Sequence, residues 1–393
     1  MRKLSGLAIF AVGFVAWHAF DLGRGEARAD GSSALRYHYV SLDEALPPGF
    51  LFFDPIALTN DDRVYLTVWA CDVNCVPSVA VYKNGKTSVI HPGVTYAANN
   101  GGTIGGSVIT DIDNFIEQAA LFTQGRPVEV IPRLSGESTS HVARISDSGI
   151  ALVQSDSATS ISTFYLYKHG TVTPLNLGTN PAGFVSLNNR GLVAGRIDEP
   201  GPNDRAFRYD PRSGVVNLLN PLPSEPESWG QAINSRGDVL GYSFKVGALE
   251  RIGVWRDKTF KTYFVEGTPA FPTVSNQLLW NEPGLIVITR TSLPDLNSYV
   301  VPKPDVRVKL ADITDTLPIW TAMLDINDHG DILGLGGSSY FNIEHTFLLK
   351  RVDGDAAAPK TAPQSLSASH VVMPQRRQCP QKIPSPLSKW CRE

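Results

Sequence analysis

At 393 residues, 42% of them hydrophobic and 19% charged, the chain has room for two or three average domains or one large one. Residues 1–29 carry four basic and two acidic groups. Without them the formal net charge moves from −3 to 31 − 36 = −5. That balance excludes a broad nucleic-acid or anionic-membrane surface on the main body.

The first residues, MRKLSGLAIFAVGFVAWHAF, set Arg2 and Lys3 ahead of an apolar run that leads to Ala27-Arg28-Ala29. This is the layout of a secretory signal with cleavage before Asp30; an uncleaved N-terminal anchor is the alternative. Either one sends the rest of the chain outward, to be secreted or periplasmic. No later segment is apolar for long enough to cross a bilayer as a helix.

From residue 58 a single phrase recurs. It reads LTNDDRVYL (58–66), ANNGGTIGG (98–106), ISDSGIALV (145–153), LNNRGLVAG (187–195), INSRGDVLG (233–241), WNEPGLIVI (280–288) and INDHGDILG (326–334). The fourth turn positions are Asp62, Gly102, Gly149, Gly191, Gly237, Gly284 and Gly330, so the steps are 40, 47, 42, 46, 47 and 46 residues. A repeat of about 40 to 50 residues is in the range of propeller blades. The phrase has the chemistry of a type I turn closed by a bulge. Its first residue is short and polar (Thr59, Asn99, Ser146, Asn188, Asn234, Asn281, Asn327), and its fourth must tolerate positive φ.

After each phrase comes a second hairpin, such as VAVYKNGKTSVI, AALFTQGRPVEVI, TFYLYKHGTVTPL, RAFRYDPRSGVVNLL or IGVWRDKTFKTYF. Each unit therefore holds four short strands, with turn signals in place of helical periodicity. The fold expected is all-β: one seven-bladed β-propeller within residues 30–352. The seventh unit stops after HTFLLKRV (345–352), one strand short, while residues 37–42 precede the first phrase with a spare strand. Pairing of Tyr37–Leu42 with the last blade is expected to close the ring and remove open edges.

Residues 353–393 are rich in Pro, Ser, Ala and basic residues and lack strand periodicity, which predicts a disordered basic tail. Cys379 and Cys391 lie in it, and Cys71 and Cys75 lie in the loop after the second strand of the first unit. In an exported chain these local pairs read as two small disulfide loops. A zinc site built from all four is the alternative, but the pairs are far apart and lack His partners.

The run RAFRYDPRSGVVNLLNPLPSEPESWGQAINSRGDVLGYS (205–243) resembles the HAF-repeat extracellular proteins of bacteria, whose unit combines a His-Ala-Phe strand, a "dLG"-like strand and an "aIN..G.VvG" hairpin. The tripeptide has become Arg205-Ala206-Phe207 here and His345-Thr346-Phe347 in the last unit. The likeness covers about residues 35–352. It implies a secreted, propeller-like repeat protein and brings no catalytic residues with it.

Several motifs could carry chemistry. DINDHGD (325–331) begins like a calcium loop, yet the position of the bidentate Glu is Gly336 and the fifth is His329, so the turn reading explains more. No nucleophile elbow, HExxH, P-loop or dinucleotide fingerprint is present, and neither a metal nor a cofactor is expected. His141 precedes VARIS and reads as a strand-end residue. Asp111, Asp113, Asp198, Glu199, Asp204 and Asp295 fall between second and third strands, on the face shared with the blade-joining loops 220–228 and 311–319. Trp229, Trp320, Phe50 and Phe184 fall close to that mouth, where exposed rings would suit sugar or peptide stacking. Packing between blades is the alternative.

From these residues the expected function is a secreted, monomeric, non-catalytic binding module. Its ligand would be a protein, glycan or small molecule at the channel face, held by Trp229, Trp320, Phe184, Asp198, Asp204 and Asp295. The alternative is a carbohydrate-active hydrolase or lyase of the envelope or exterior, with loop carboxylates as acid and base.

Overall fold

The computed structural model describes residues 35–352 apart from 51, 72–74, 159–161, 178–180, 199–203, 246–249, 266–276, 290–297 and 340–341. The leader (1–29) and the basic tail with Cys379 and Cys391 lie outside the described residues.

The chain opens with β1 (Arg36–Ser41). Blade 1 follows as β2 (Phe52–Leu58), β3 (Val64–Cys71), β4 (Cys75–Lys83) and β5 (Lys86–Pro92), and blade 2 as β6 (Val94–Ala98), β7 (Thr103–Asp111), β8 (Ile116–Thr123) and β9 (Glu129–Val130). Blade 3 holds β10 (Glu137–Ile145), β11 (Ala151–Ser157), β12 (Ser162–Lys168) and β13 (Thr171–Pro174); blade 4 holds β14 (Pro181–Leu187), β15 (Val193–Asp198), β16 (Asp204–Asp210) and β17 (Val215–Leu219). Blade 5 comprises β18 (Glu227–Ile233), β19 (Val239–Phe244), β20 (Arg251–Arg256) and β21 (Thr259–Val265), and blade 6 β22 (Gln277–Trp280), β23 (Ile286–Thr289), β24 (Tyr299–Lys303) and β25 (Val306–Lys309). Blade 7 is β26 (Trp320–Ile326), β27 (Ile332–Ser339) and β28 (Asn342–Val352), completed by β1.

All seven sheets are four-stranded antiparallel meanders. The closing strand is the one expected: Arg36 lies opposite Val352, Tyr37 opposite Arg351 and Ser41 opposite Phe347. Around this seam Tyr39 N donates to Asp315 Oδ1 (3.0 Å), Thr346 N donates to Asp43 Oδ1 (2.9 Å), and Lys350 Nζ reaches both Asp62 and Asp331. No described helix is long and apolar enough to cross a membrane.

The core is divided by blade interfaces. Leu333 and Leu348 of blade 7 pack on Val64 and Leu66 of blade 1, and Tyr65 and Val79 of blade 1 meet Ile104 and Ala120 of blade 2. Equivalent clusters fill each later interface, ending with Val287 and Val300 of blade 6 against Met323 and Phe347 of blade 7. Each sheet thus buries both faces, which explains why second strands such as VLGYSF (β19) are buried at every position instead of alternating.

The repeated phrase forms the hairpin between first and second strands in every blade. All seven fourth positions have positive φ, from 65° at Asp62 to 103° at Gly284. In blade 5, Gly237 N donates to Asn234 O (3.0 Å) and Asn234 N donates to Asp238 O (3.1 Å), the paired bonds of a type I turn with a bulge. The last Gly of the phrase has a separate cause. A Cβ on Gly241 would collide with the carbonyl oxygen of Trp229, because the innermost strand bulges toward it between Gly230 and Ala232. Cys71 and Cys75 are register partners across β3 and β4, the placement a cross-strand bridge requires.

Candidate functional site

In a meander of this order the phrase hairpins lie at one end of the innermost strands, and the blade-joining loops at the other. At the hairpin end the turns are linked into a circle. The second residue of each turn presents its side chain to a neighbouring turn. Asn60 N donates to Asn100 Oδ1 (2.8 Å), Asn100 N to Asp147 Oδ1 (2.8 Å) and Asp147 N to Asn189 Oδ1 (2.7 Å). Ser235 N donates to Glu282 Oε1 (2.8 Å), Glu282 N to Asp328 Oδ1 (3.1 Å) and Asp328 N to Asn60 Oδ1 (2.8 Å). The joint between blades 4 and 5 is made instead by Asn188 Nδ2 on Asn234 O (2.8 Å) and Arg190 Nη1 on Arg236 O (3.4 Å). The first residues add a second tier: Asn99 Nδ2 donates to Ser146 O, Asn281 Nδ2 to Asn327 O and Asn327 Nδ2 to Thr59 O.

The calcium-like run 325–331 is absorbed by these bonds. Asp325 Oδ2 accepts from Leu58 N (2.7 Å) and its Oδ1 from Ile326 N (2.9 Å), while Asp331 Oδ1 accepts from Arg351 N and its Oδ2 from Lys350 Nζ. Their oxygens diverge toward different partners, whereas a calcium ion needs six to eight converging ones.

Two residues inside this ring, the innermost strands bring together two opposite charges. The position two before each turn is Ala57, Ala97, Arg144, Ser186, Ala232, Leu279 and Asp325 in blades 1 to 7. Arg144 and Asp325 therefore stand at one level of the innermost strands, on blades three steps apart in a sevenfold ring, and each charge favours the ionised form of the other. The Arg144 side chain is open to solvent although protein surrounds it, as expected of a group inside a channel. Its Nη1 donates to the adjacent Ala143 O (2.7 Å), and among the described residues no carboxylate lies within ion-pair distance of it. Burial pushes the Asp325 carboxyl up to about 6, against the lowering effect of its two backbone donors and of Arg144.

Toward the other end of the channel, between blades 2 and 3, Tyr96 and His141 stack with ring centroids 4.4 Å apart. Tyr96 OH donates to Glu117 Oε1 (2.9 Å), which also accepts from Ser107 Oγ (3.1 Å). Burial raises Glu117 and lowers His141 to about 4, so the imidazole is neutral at pH 7. Glu117 is only 7% exposed and its oxygens are occupied; the half-buried imidazole is the accessible member of the group.

Of the sequence-predicted ligand-binding residues, the side chains of Trp229, Trp320 and Asp204 are described. Trp229 is 7% exposed and lies within β18, with its Nε1 donating to Asp204 Oδ2 (2.9 Å), Arg196 over its ring at 4.8 Å and Phe244 at its edge. Trp320 starts β26 and is 1% exposed. Trp229 packs between blades 5 and 6, and Trp320 is buried, because the innermost strands begin earlier than the phrase suggests and take in both tryptophans. Asp204 is engaged by Trp229 and Arg196 (3.3 Å), and Asp111 caps its own turn through Asp113 N and Asn114 N. Phe184 and Asp198 lie in β14 and β15, but their side chains, like the whole of Asp295, lie outside the described residues. Arg144 and Asp325 were not singled out as a pair. One signal was available: aligned at the turn, their column is otherwise small or apolar.

Asp54 gives a clean test of this electrostatic picture. Burial pushes its carboxyl up to about 6, against the hydrogen bond from Trp69 Nε1 (2.8 Å). The folded state then binds the proton more tightly than the unfolded chain. This contribution favours folding below the ordinary carboxyl range near pH 4 and is lost as pH rises through about 6. Asp54→Asn should remove the dependence, raising stability at pH 8 by on the order of 2 kcal/mol relative to wild type and by little at pH 4. Thermal melts of both proteins across that range check it; the difference between them cancels the opposite trend of Asp61, Asp111 and Asp315, whose pKa values are lowered.

No protein-family model matches the chain, and no curated protein matches it. Among solved structures it is similar to TolB from Acinetobacter baumannii (18% identity over 55% of this chain and 56% of that one, TM-score 0.38). It is also similar to a prolyl endopeptidase (14%, 74% of this chain and 47% of that one, TM-score 0.47) and to an uncharacterized protein from Listeria monocytogenes EGD-e (13%, 78% and 92%, TM-score 0.47). The chain spans 56% of the length of that TolB and 47% of that of the peptidase.

Proposed function

We propose that this chain is a non-catalytic binding module that holds a small charged or polar ligand in the central channel. The observation that carries this is Arg144: a guanidinium on an innermost strand, open to solvent, with one backbone carbonyl as its only acceptor among the described residues, in a column that is otherwise small or apolar except for Asp325. A cation enclosed by protein walls without a carboxylate is less well solvated than one in bulk water, and an incoming acceptor offsets that cost. On this reading the protein works outside the cytoplasm, as expected from the leader and from the likeness of residues 205–243 to HAF-repeat proteins.

Binding is favoured over turnover because three carboxyl groups that burial raises are committed: Asp54 to Trp69, Glu117 to Tyr96 and Ser107, and Asp325 to two backbone donors. A second reading, a hydrolase or lyase acting on carbohydrate, draws on the Glu117–Tyr96–His141 group. A glycan array and a thermal-shift screen of charged metabolites on residues 30–393, each followed by a product assay, separate the two. The expected result is a saturable ligand, lost in Arg144→Gln, with no product formed. Turnover would establish the second reading, and a ligand indifferent to Arg144→Gln would remove the channel from the proposal.

A further inference from the structure

The seven innermost strands hold one Arg and one His between them and no Lys, and both stand on β10. Contacts fix the side from which they project. Val142 and Ile145 both turn toward blade 2, where a Cβ on Gly105 would meet the side chains of each. The register shift between Val142 and Arg144 is what keeps these two on one side, although they are three residues apart. His141 and Arg144, each just before one of them, therefore share the opposite side.

Each is anchored, and each has donors to spare. The half-buried His141 ring lies on Tyr96 at 4.4 Å, and the Tyr96 hydroxyl is fixed in turn by donating to Glu117. Among the described residues no hydrogen bond or ion pair engages the imidazole. Arg144 Nη1 donates to the carbonyl of Ala143, which lies between the two in the strand, and this leaves most of the guanidinium N–H groups for a ligand. The carboxylates beside the group are occupied: Glu117 accepts from Tyr96 OH and Ser107 Oγ, and Asp156, opposite Thr139, accepts from Ser162 Oγ (2.6 Å).

From this placement, resting on the channel reading above, we infer that the ligand carries a compact oxyanion, a carboxylate or a phosphate group, held by the Arg144 guanidinium with the His141 imidazole as second donor. A planar guanidinium pairs with two oxygens of either group, and a neutral imidazole offers one N–H to an oxygen without needing a proton from solution. A cation would meet the Arg144 charge. A neutral sugar would leave the guanidinium without a charged acceptor.

Isothermal titration of residues 30–393 with acetate, succinate, inorganic phosphate and methyl phosphate at constant ionic strength tests the inference, with glucose and choline as neutral and cationic controls. The expected result is saturable binding of at least one oxyanion, and the ranking of the four tells carboxylate from phosphate. Arg144→Gln should weaken it by about tenfold or more, while Arg144→Lys, which keeps the charge and loses the fork, retains part of the affinity. His141→Phe keeps a ring on Tyr96 and removes the N–H, and should weaken binding by about threefold or more. Circular dichroism melts establish that the variants are folded. If His141→Phe binds every oxyanion as wild type does while Arg144→Gln does not, the paired site is overturned and the channel reading stands. If glucose or choline binds and no oxyanion does, or if nothing in the panel binds, the oxyanion is overturned, and the broader glycan and metabolite screen then decides the channel reading separately.

Discussion

A chain that starts at residue 42, lacking β1, is expected to lose cooperative folding altogether. The strand contributes six register pairs to β28, and with it go the buried Tyr37 and the seating of Leu42, which are 3% and 1% exposed. Burial of two such side chains is worth about 1.5–3 kcal/mol each, and every ladder hydrogen bond about 1 kcal/mol more. The total exceeds about 5 kcal/mol, the lower bound of a typical domain's whole stability. The truncation also leaves β28 as an unpaired edge, so aggregation accompanies the loss. A circular permutant isolates the cause. Arg36 lies opposite Val352, so a two-residue turn can join them, with new termini opened at the exposed Asn84-Gly85 turn. Calorimetry should find the permutant close to wild type and the truncation without a folding transition. A truncated chain that melts like wild type would mean that the closing strand is dispensable.

The second large effect is expected at Asn327, in the turn that joins blade 7 to blade 1. Its side chain is 3% exposed; Nδ2 donates to Thr59 O (3.3 Å) and Asp331 Oδ2 (3.1 Å), and Oδ1 accepts from Asp331 N (2.9 Å). Asn327→Ala leaves the buried Asp331 N unpaired and removes the bond to blade 1, although Thr59 O keeps its bond from Asp62 N, and should cost about 2–4 kcal/mol. Asn327→Ser separates two roles. Serine supports this turn at position 146, where its Oγ accepts from Ile150 N, but it is too short to reach the next blade. The part of the loss that belongs to the bond with blade 1, about 1 kcal/mol, should persist in the Ser variant when chemical denaturation curves are compared. Recovery of wild-type stability by serine would reduce the phrase to a turn and nothing more. Asn189→Ala, on the exposed tier of the same ring, should cost less than about 1 kcal/mol.

The architecture was legible because its determinants are local and repeated. Positive φ at a fixed place, a short polar residue three positions earlier and a step of 40 to 47 residues can be read without knowing what touches what. The missing last strand was legible for a related reason: a unit one strand short and a spare strand at the other end have one economical solution, and Tyr37 opposite Arg351 is that solution. The aromatic positions were less legible. Trp229 and Trp320 precede their phrases by a few residues, and only the extent of β18 and β26 decides that both rings are buried.

By itself, then, the sequence determined the number of blades, the hairpin that starts each one and the strand that closes the ring, since turn chemistry and strand period are properties of short segments. Tertiary structure alone decided that the turns bond to one another in a circle and that Asp325 of blade 7 holds Leu58 N of blade 1. Those contacts join residues of different blades across a closed ring. No spacing along the chain encodes them, because they exist only once the last blade has met the first.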